Sequence, residues 1–215
     1  GAAFDGKNAD AGDFTLVKNN PVIETKLDLT ATKNWQNDTY ADRPDSIYIK
    51  VWYNTNKDGT WRTLRGSGTD YIYYGESRYD SASDYIITID KDNWQSSTLT
   101  GLYKEVALPE ADGTRGSSTY YYYKIEEVNA VTDGSGNVTY ETIANNSFET
   151  SNGIYEVTYS NNNGINYTGT AIVYNNFHRT TAITPVKQWA GDTGSGDGML
   201  SVTMRLDYSI DGGAT

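Results

Sequence analysis

The sequence predicts an all-β protein, a sandwich of short strands in mid-chain flanked by pieces of the same module. Three observations carry that prediction. Apolar and polar residues alternate repeatedly, and no stretch holds a convincing helical period. Turn and strand formers dominate, with 21 Gly and 19 Tyr against 4 Pro in 215 residues. Two unrelated motifs also return at nearly one interval. Thr32-Lys33-Asn34-Trp35 is echoed by Val186-Lys187-Gln188-Trp189, the two lysines lying 154 positions apart. Leu16-Val17-Lys18-Asn19-Asn20 is echoed by Ile172-Val173-Tyr174-Asn175-Asn176, 156 positions on. A shared period in two motifs marks a window on a tandem array.

The elements follow in order. Residues 1–25 read as the closing strand and linker of a preceding repeat, the strand and linker running from Phe14 to Thr25. Residues 26–179 read as one complete repeat. In its first strand Leu27, Leu29, Ala31, Lys33 and Trp35 share one parity, so a face that is otherwise apolar carries the lysine inward. Arg43-Pro44-Asp45 leads into a second strand with Ile47, Ile49, Val51 and Tyr53 on one side. Tyr85 to Ile89 and Trp94 to Leu99 read as further strands. Tyr121, Tyr123, Ile125 and Glu127 alternate with Tyr122, Lys124 and Glu126. Asp133-Gly134-Ser135-Gly136-Asn137 is a turn before Val138 to Ile143. Ile154 to Tyr159 and Tyr167 to Phe177 close the repeat. Residues 180–215 read as the opening strands of the following repeat, with Leu200, Val202, Met204 and Leu206 as an inward set. Neither end piece is long enough to build a core of its own.

Composition narrows the function classes. A formal charge of −11 repels nucleic-acid phosphates and anionic lipid. No apolar run approaches the ~18 residues of a membrane span. Cysteine is absent, which removes disulfides, thiolate metal sites and cysteine nucleophiles. The single histidine, His178, has no Ser–His–Asp set around it. Asp192, Asp197 and their intervening glycines lack the spacing and distal Glu of a calcium loop, so no metal or cofactor is expected.

Four segments in order, Thr32-Lys33-Asn34-Trp35, Arg43-Pro44-Asp45-Ser46-Ile47, Tyr123-Lys124-Ile125-Glu126-Glu127 and Val173-Tyr174-Asn175-Asn176-Phe177, resemble the B-type repeats of the collagen adhesin of Gram-positive bacteria. The resemblance covers residues 26 to 179. It implies an immunoglobulin-like sandwich of inverse topology. It also implies a place in the stalk of an extracellular, wall-anchored adhesin or pilus-like fibre, with neighbouring repeats as partners and no substrate turnover. Members of that family often carry a self-formed amide bond between a first-strand Lys and a last-strand Asn, assisted by an acid on a middle strand. Carried over, these residues are Lys33, Asn175 and Glu127. Asn19 and Lys187 are the corresponding members of the incomplete repeats.

The chemistry of the residues agrees with that assignment. Burial penalises the charged form of a lysine and frees its amine as a nucleophile. Burial drives a carboxyl toward its neutral form, which polarises a carboxamide and shuttles protons as ammonia leaves. Parity separates neighbours: Glu127 lies with Tyr123 and Ile125, and Asn175 with Val173 and Phe177, leaving Glu126 and Asn176 as second choices. A separate candidate is the polar stretch Gly66 to Asp84. Its Tyr71, Tyr73, Tyr74 and Tyr79 offer rings to a host glycan or protein, and an adhesive module is the alternative function. Covering a sheet face is the plainer role for those rings.

Overall fold

The computed structural model describes residues 22–55, 59–91, 97–110, 114–179, 184–186 and 203–205. The chain divides into two compact units, Gly1–Arg179 and Thr180–Thr215. Described residues of the second unit carry no regular secondary structure. Those of the first are all-β, without an α-helix, and 3-10 turns occur at Tyr40–Asp42 and Ala144–Asn146.

Thirteen strands are described: β1 (Ile23–Gln36), β2 (Ser46–Asn54), β3 (Arg62–Thr63), β4 (Arg65–Ser67), β5 (Asp70–Ile72), β6 (Ile86–Asp90), β7 (Ser97–Pro109), β8 (Arg115–Tyr120), β9 (Tyr122–Thr132), β10 (Val138–Thr142), β11 (Ser147–Thr150), β12 (Gly153–Ser160) and β13 (Gly169–Arg179). One sheet has the order β11-β12-β13-β1-β7-β8. The second runs β10-β9-β2-β3, and β6 pairs with the first half of β2 on the edge whose second half takes β3. β4 and β5 form a separate hairpin. The two large sheets enclose one apolar core, consistent with a β-sandwich.

β1 and β13 are paired in parallel, with Lys33 opposite Val173 and Trp35 opposite Asn175. Every other strand pair described is antiparallel. Parallel neighbours need a long connection, and here it is nearly the whole unit. The inward residues of β1 are Leu27, Leu29, Ala31 and Lys33, each 6% exposed or less. β2 contributes Ile47, Ile49, Val51 and Tyr53, and β9 contributes Tyr123, Ile125 and Glu127.

The structure departs from the sequence expectation in several places, among them the strands β8 and β11, which were not expected. β1 begins at Ile23, inside the segment read as linker, because β7 extends far enough to pair Ala107 with Ile23. β7 is much longer than Trp94 to Leu99 suggested. Gly101, at φ +76°, bulges the strand, so Leu99 and Leu102 both face inward and period two breaks. Asp28 Oδ1 accepts from the Gly101 N–H at 2.9 Å and holds that bulge. Gly66 to Asp84 is a folded excursion built on the β4–β5 hairpin; the Gly66–Ser83 backbone bond closes it, and the flanking Leu64 and Tyr85 bond each other and Val51 of β2.

Candidate functional site

β1, β9 and β13 bring Lys33, Glu127 and Asn175 together in the core. Lys33 Nζ donates to Glu127 Oε2 at 2.8 Å. Asn175 Nδ2 donates to Glu127 Oε1 at 2.9 Å. One carboxyl therefore bridges an amine and a carboxamide carried by two adjacent parallel strands of the opposite sheet. All three residues are buried, at 6%, 3% and 0% exposure. Alternation alone accounts for this: each is an odd-numbered residue in a strand whose odd positions face inward. Glu126 and Asn176, one position away, are only partly buried, whereas Val128 after Glu127 is buried. Glu126 accepts from Trp52 Nε1 at 2.7 Å. Asn176 Oδ1 accepts from Asn37 Nδ2 at 2.6 Å.

The electrostatics are unusual for a structural ion pair. Desolvation pulls the Lys33 ammonium down from 10.5 to about 8, against the opposing pull of the Glu127 carboxylate and its hydrogen bond. Asp38 adds a smaller pull toward the charged form, and Arg43 a smaller push away from it. Lys33 at about 8 is much closer to losing its proton than an exposed lysine, and Glu127 Oε2 lies 2.8 Å away as an acceptor. Asn175 Oδ1 is buried and accepts no hydrogen bond. An orphaned buried acceptor costs about 1–3 kcal/mol. A half-turn of the carboxamide exchanges its oxygen and nitrogen and turns Oδ1 toward the Glu127 carboxyl.

Aromatic rings close the site. Lys33 Nζ lies 4.5 Å from the centre of the Trp35 ring. Trp35 packs edge-on against Tyr155 at 5.1 Å, and Tyr155 packs on Phe148 at 5.2 Å and Phe177 at 4.9 Å. The Glu127 N–H donates to the Tyr159 hydroxyl at 3.0 Å. Where β2 and β9 part company beyond the Tyr48–Val128 pair, an opening of about 410 Å³ reaches Glu127 between Ile47, Ala130 and Phe148.

The other sequence candidates fare differently. Asn19 and Lys187 lie outside the described residues. Of the insertion tyrosines, Tyr73 and Tyr79 are buried at 6% and 8% exposure, Tyr71 is half-buried, and only Tyr74 is well exposed, at 63%. These rings cover the core edge: Tyr73 contacts Tyr53, Tyr103 and Tyr121, and Tyr71 contacts Tyr85. His178 sits on the surface beside Asn176 and Glu156. Among the described residues no cluster of His, Asp or Glu could hold a metal ion, and no helix is long and apolar enough to cross a membrane. Sequence reasoning missed Asp38, Tyr155 and Tyr159. The inward parity that Tyr155 and Tyr159 share with Val157 was the available signal. Asp38 lies in a turn, where no periodicity applies.

No protein-family model matches this chain, and no curated protein matches it.

Proposed function

We propose that this protein is a stalk or shaft module of a Gram-positive surface adhesin or pilus-like fibre, with an immunoglobulin-like sandwich of inverse topology and a self-formed amide bond between Lys33 and Asn175. The observation that carries the reading is the Glu127 carboxyl bridging a desolvated amine and a carboxamide at 2.8 Å and 2.9 Å. In the reaction the Lys33 proton passes to Glu127, and the neutral Nζ attacks Asn175 Cγ. Glu127 hydrogen-bonds Oδ1 as charge builds there, then relays a proton from Nζ to the departing Nδ2. The Cγ–Nδ2 bond breaks, the Cγ–Nζ bond remains, and one ammonia leaves. The opening beside Glu127 provides its exit. Nothing is turned over, so this is maturation rather than enzyme catalysis.

The mechanical use follows from the parallel pairing of β1 and β13. Force applied at the start of β1 passes to Lys33, crosses to Asn175 and leaves through the end of β13. The strands between residues 34 and 174 carry no load. The closed loop spans 142 positions, and the bond adds about 4–5 kcal/mol through the unfolded chain if it acts as a disulfide does. Intact mass tests the reading. The protein is expected to weigh one ammonia less than its sequence, and Lys33→Ala to restore the full mass; an unmodified wild-type mass ends it.

A further inference from the structure

A second charged pair stands next to the site, and the amide chemistry as written above has no part for it. The turn after β1 carries Asp38, whose side chain is only 3% exposed. Its Oδ2 accepts from Arg43 Nε at 2.7 Å, and its Oδ1 accepts from Arg43 Nη2 at 3.1 Å. The same Oδ2 accepts from the Tyr155 hydroxyl at 3.0 Å. The Arg43 guanidinium lies 5.2 Å from the centre of the Trp35 ring, the ring that Lys33 Nζ approaches at 4.5 Å. Asn37, at φ +58°, makes the turn and ties it to β13 through Asn176. One bidentate pair therefore contacts the ring that Lys33 Nζ approaches and holds the hydroxyl of the ring packed on it. A surface ion pair contributes little stability, but a bidentate Arg–carboxylate gripping two rings fixes geometry.

We propose that the Asp38–Arg43 pair is a positioning element for bond formation. It shuts Trp35 and Tyr155 over Lys33, Glu127 and Asn175, and it balances two charges beside the proton that Lys33 and Glu127 share. The inference rests on the cross-linking reading above.

The form competent to react holds one proton between the amine and the carboxyl. Removing that proton leaves Glu127 unable to assist the carboxamide, so the rate falls on the alkaline side. The charged groups facing Lys33 are Glu127 from β9 and Asp38 and Arg43 from the turn; Tyr155 and Tyr159 face the site from β12. Asp42, in the same turn, is occupied by Thr39 and Asn152. Asp38 alone strengthens the hold on the shared proton, and Arg43 alone weakens it. The two oppose each other, the Asp38 effect being the larger.

The test uses the full chain, recovered unfolded in denaturant and refolded across a pH series, with ammonia loss followed by intact mass over time. Arg43→Met is expected to move the alkaline limb up and Asp38→Asn to move it down, each by about half a pH unit or more. The double variant returns toward wild type. Tyr155→Phe leaves the charges in place and slows the reaction at every pH without moving the limb. If Arg43→Met does not fold, Arg43→Lys keeps the charge and is expected to leave the limb unmoved while Asp38→Asn lowers it. Limbs that coincide in all variants, or shifts of one sign, overturn the proposal. A wild-type chain that never loses ammonia overturns the cross-linking reading instead.

Discussion

The core buries two polar clusters, and they are built on opposite terms. The tyrosine cluster is satisfied. Tyr73 and Tyr123 hydroxyls meet at 3.0 Å, Tyr123 donates to the Tyr103 carbonyl at 2.7 Å, the Tyr103 N–H donates to Tyr73 at 3.2 Å, and the Tyr74 N–H donates to Tyr53. The Lys33–Glu127–Asn175 cluster leaves a carbonyl oxygen without a donor and an ammonium stripped of water. Complete hydrogen bonding makes a buried network rigid, whereas an unpaired buried polar group is costly in a low dielectric. The same core therefore holds one cluster with its hydrogen bonds met and one with an acceptor left open, the one for which cross-linking is proposed.

The largest expected effect separates the clusters by chemistry. Glu127→Gln keeps the size and removes the acid, so ammonia loss during refolding slows by about 10²–10⁴-fold. Glu126→Gln, one residue away and facing outward, leaves the rate unchanged. An equal slowing in both variants would mean that charge on β9, rather than an inward acid, matters.

Stability comes next. Asn175→Ala cannot form the bond, and its unfolding free energy is expected to fall by about 4–5 kcal/mol in denaturant titrations. The same variant exposes a pH contrast between the clusters. Lys33 binds its proton less tightly folded than unfolded, with a value of about 8 against 10.5. Its contribution is full above 10.5 and lost as pH falls through 8. Between pH 8 and 10 the uncrosslinked variant therefore gains stability, by about 2–3 kcal/mol. Burial raises the tyrosines instead: Tyr53 is pushed up to about 12, and Tyr73 and Tyr123 are also raised. Their contribution is full below pH 10 and lost above it, so stability turns downward there. A curve that falls steadily from pH 8 would show that Lys33 is not desolvated.

The smallest effect runs the other way. Tyr123→Phe leaves the Tyr73 hydroxyl short of a partner and costs about 1–3 kcal/mol. Cross-linking, read by mass, is expected to proceed unchanged. Loss of both stability and cross-linking would show that the clusters are one unit.

Much of this site is legible in the chain because strand faces obey a simple rule. Period two separates Glu127 from Glu126 and Asn175 from Asn176. The rule fails at Gly101, where a bulge adds one residue, and most of β7 went unread beyond it. It also says nothing of turns, so the Asp38–Arg43 grip on Trp35 was invisible. The insertion tyrosines show the converse limit. The sequence left two roles open for these rings, ligand contact or cover for a sheet face, and contacts distant in sequence bury Tyr73 and Tyr79, in keeping with cover.

Alternation and turn chemistry are local properties of the backbone, so the amino-acid order by itself determined an all-β chain with an amine, a carboxyl and a carboxamide on inward faces. Only the tertiary structure decided that the first and last strands lie side by side in parallel, and that one carboxyl from the facing sheet touches both partners. Those distances depend on sheet order and on contacts between residues 48 to 140 positions apart, which no period in the sequence encodes.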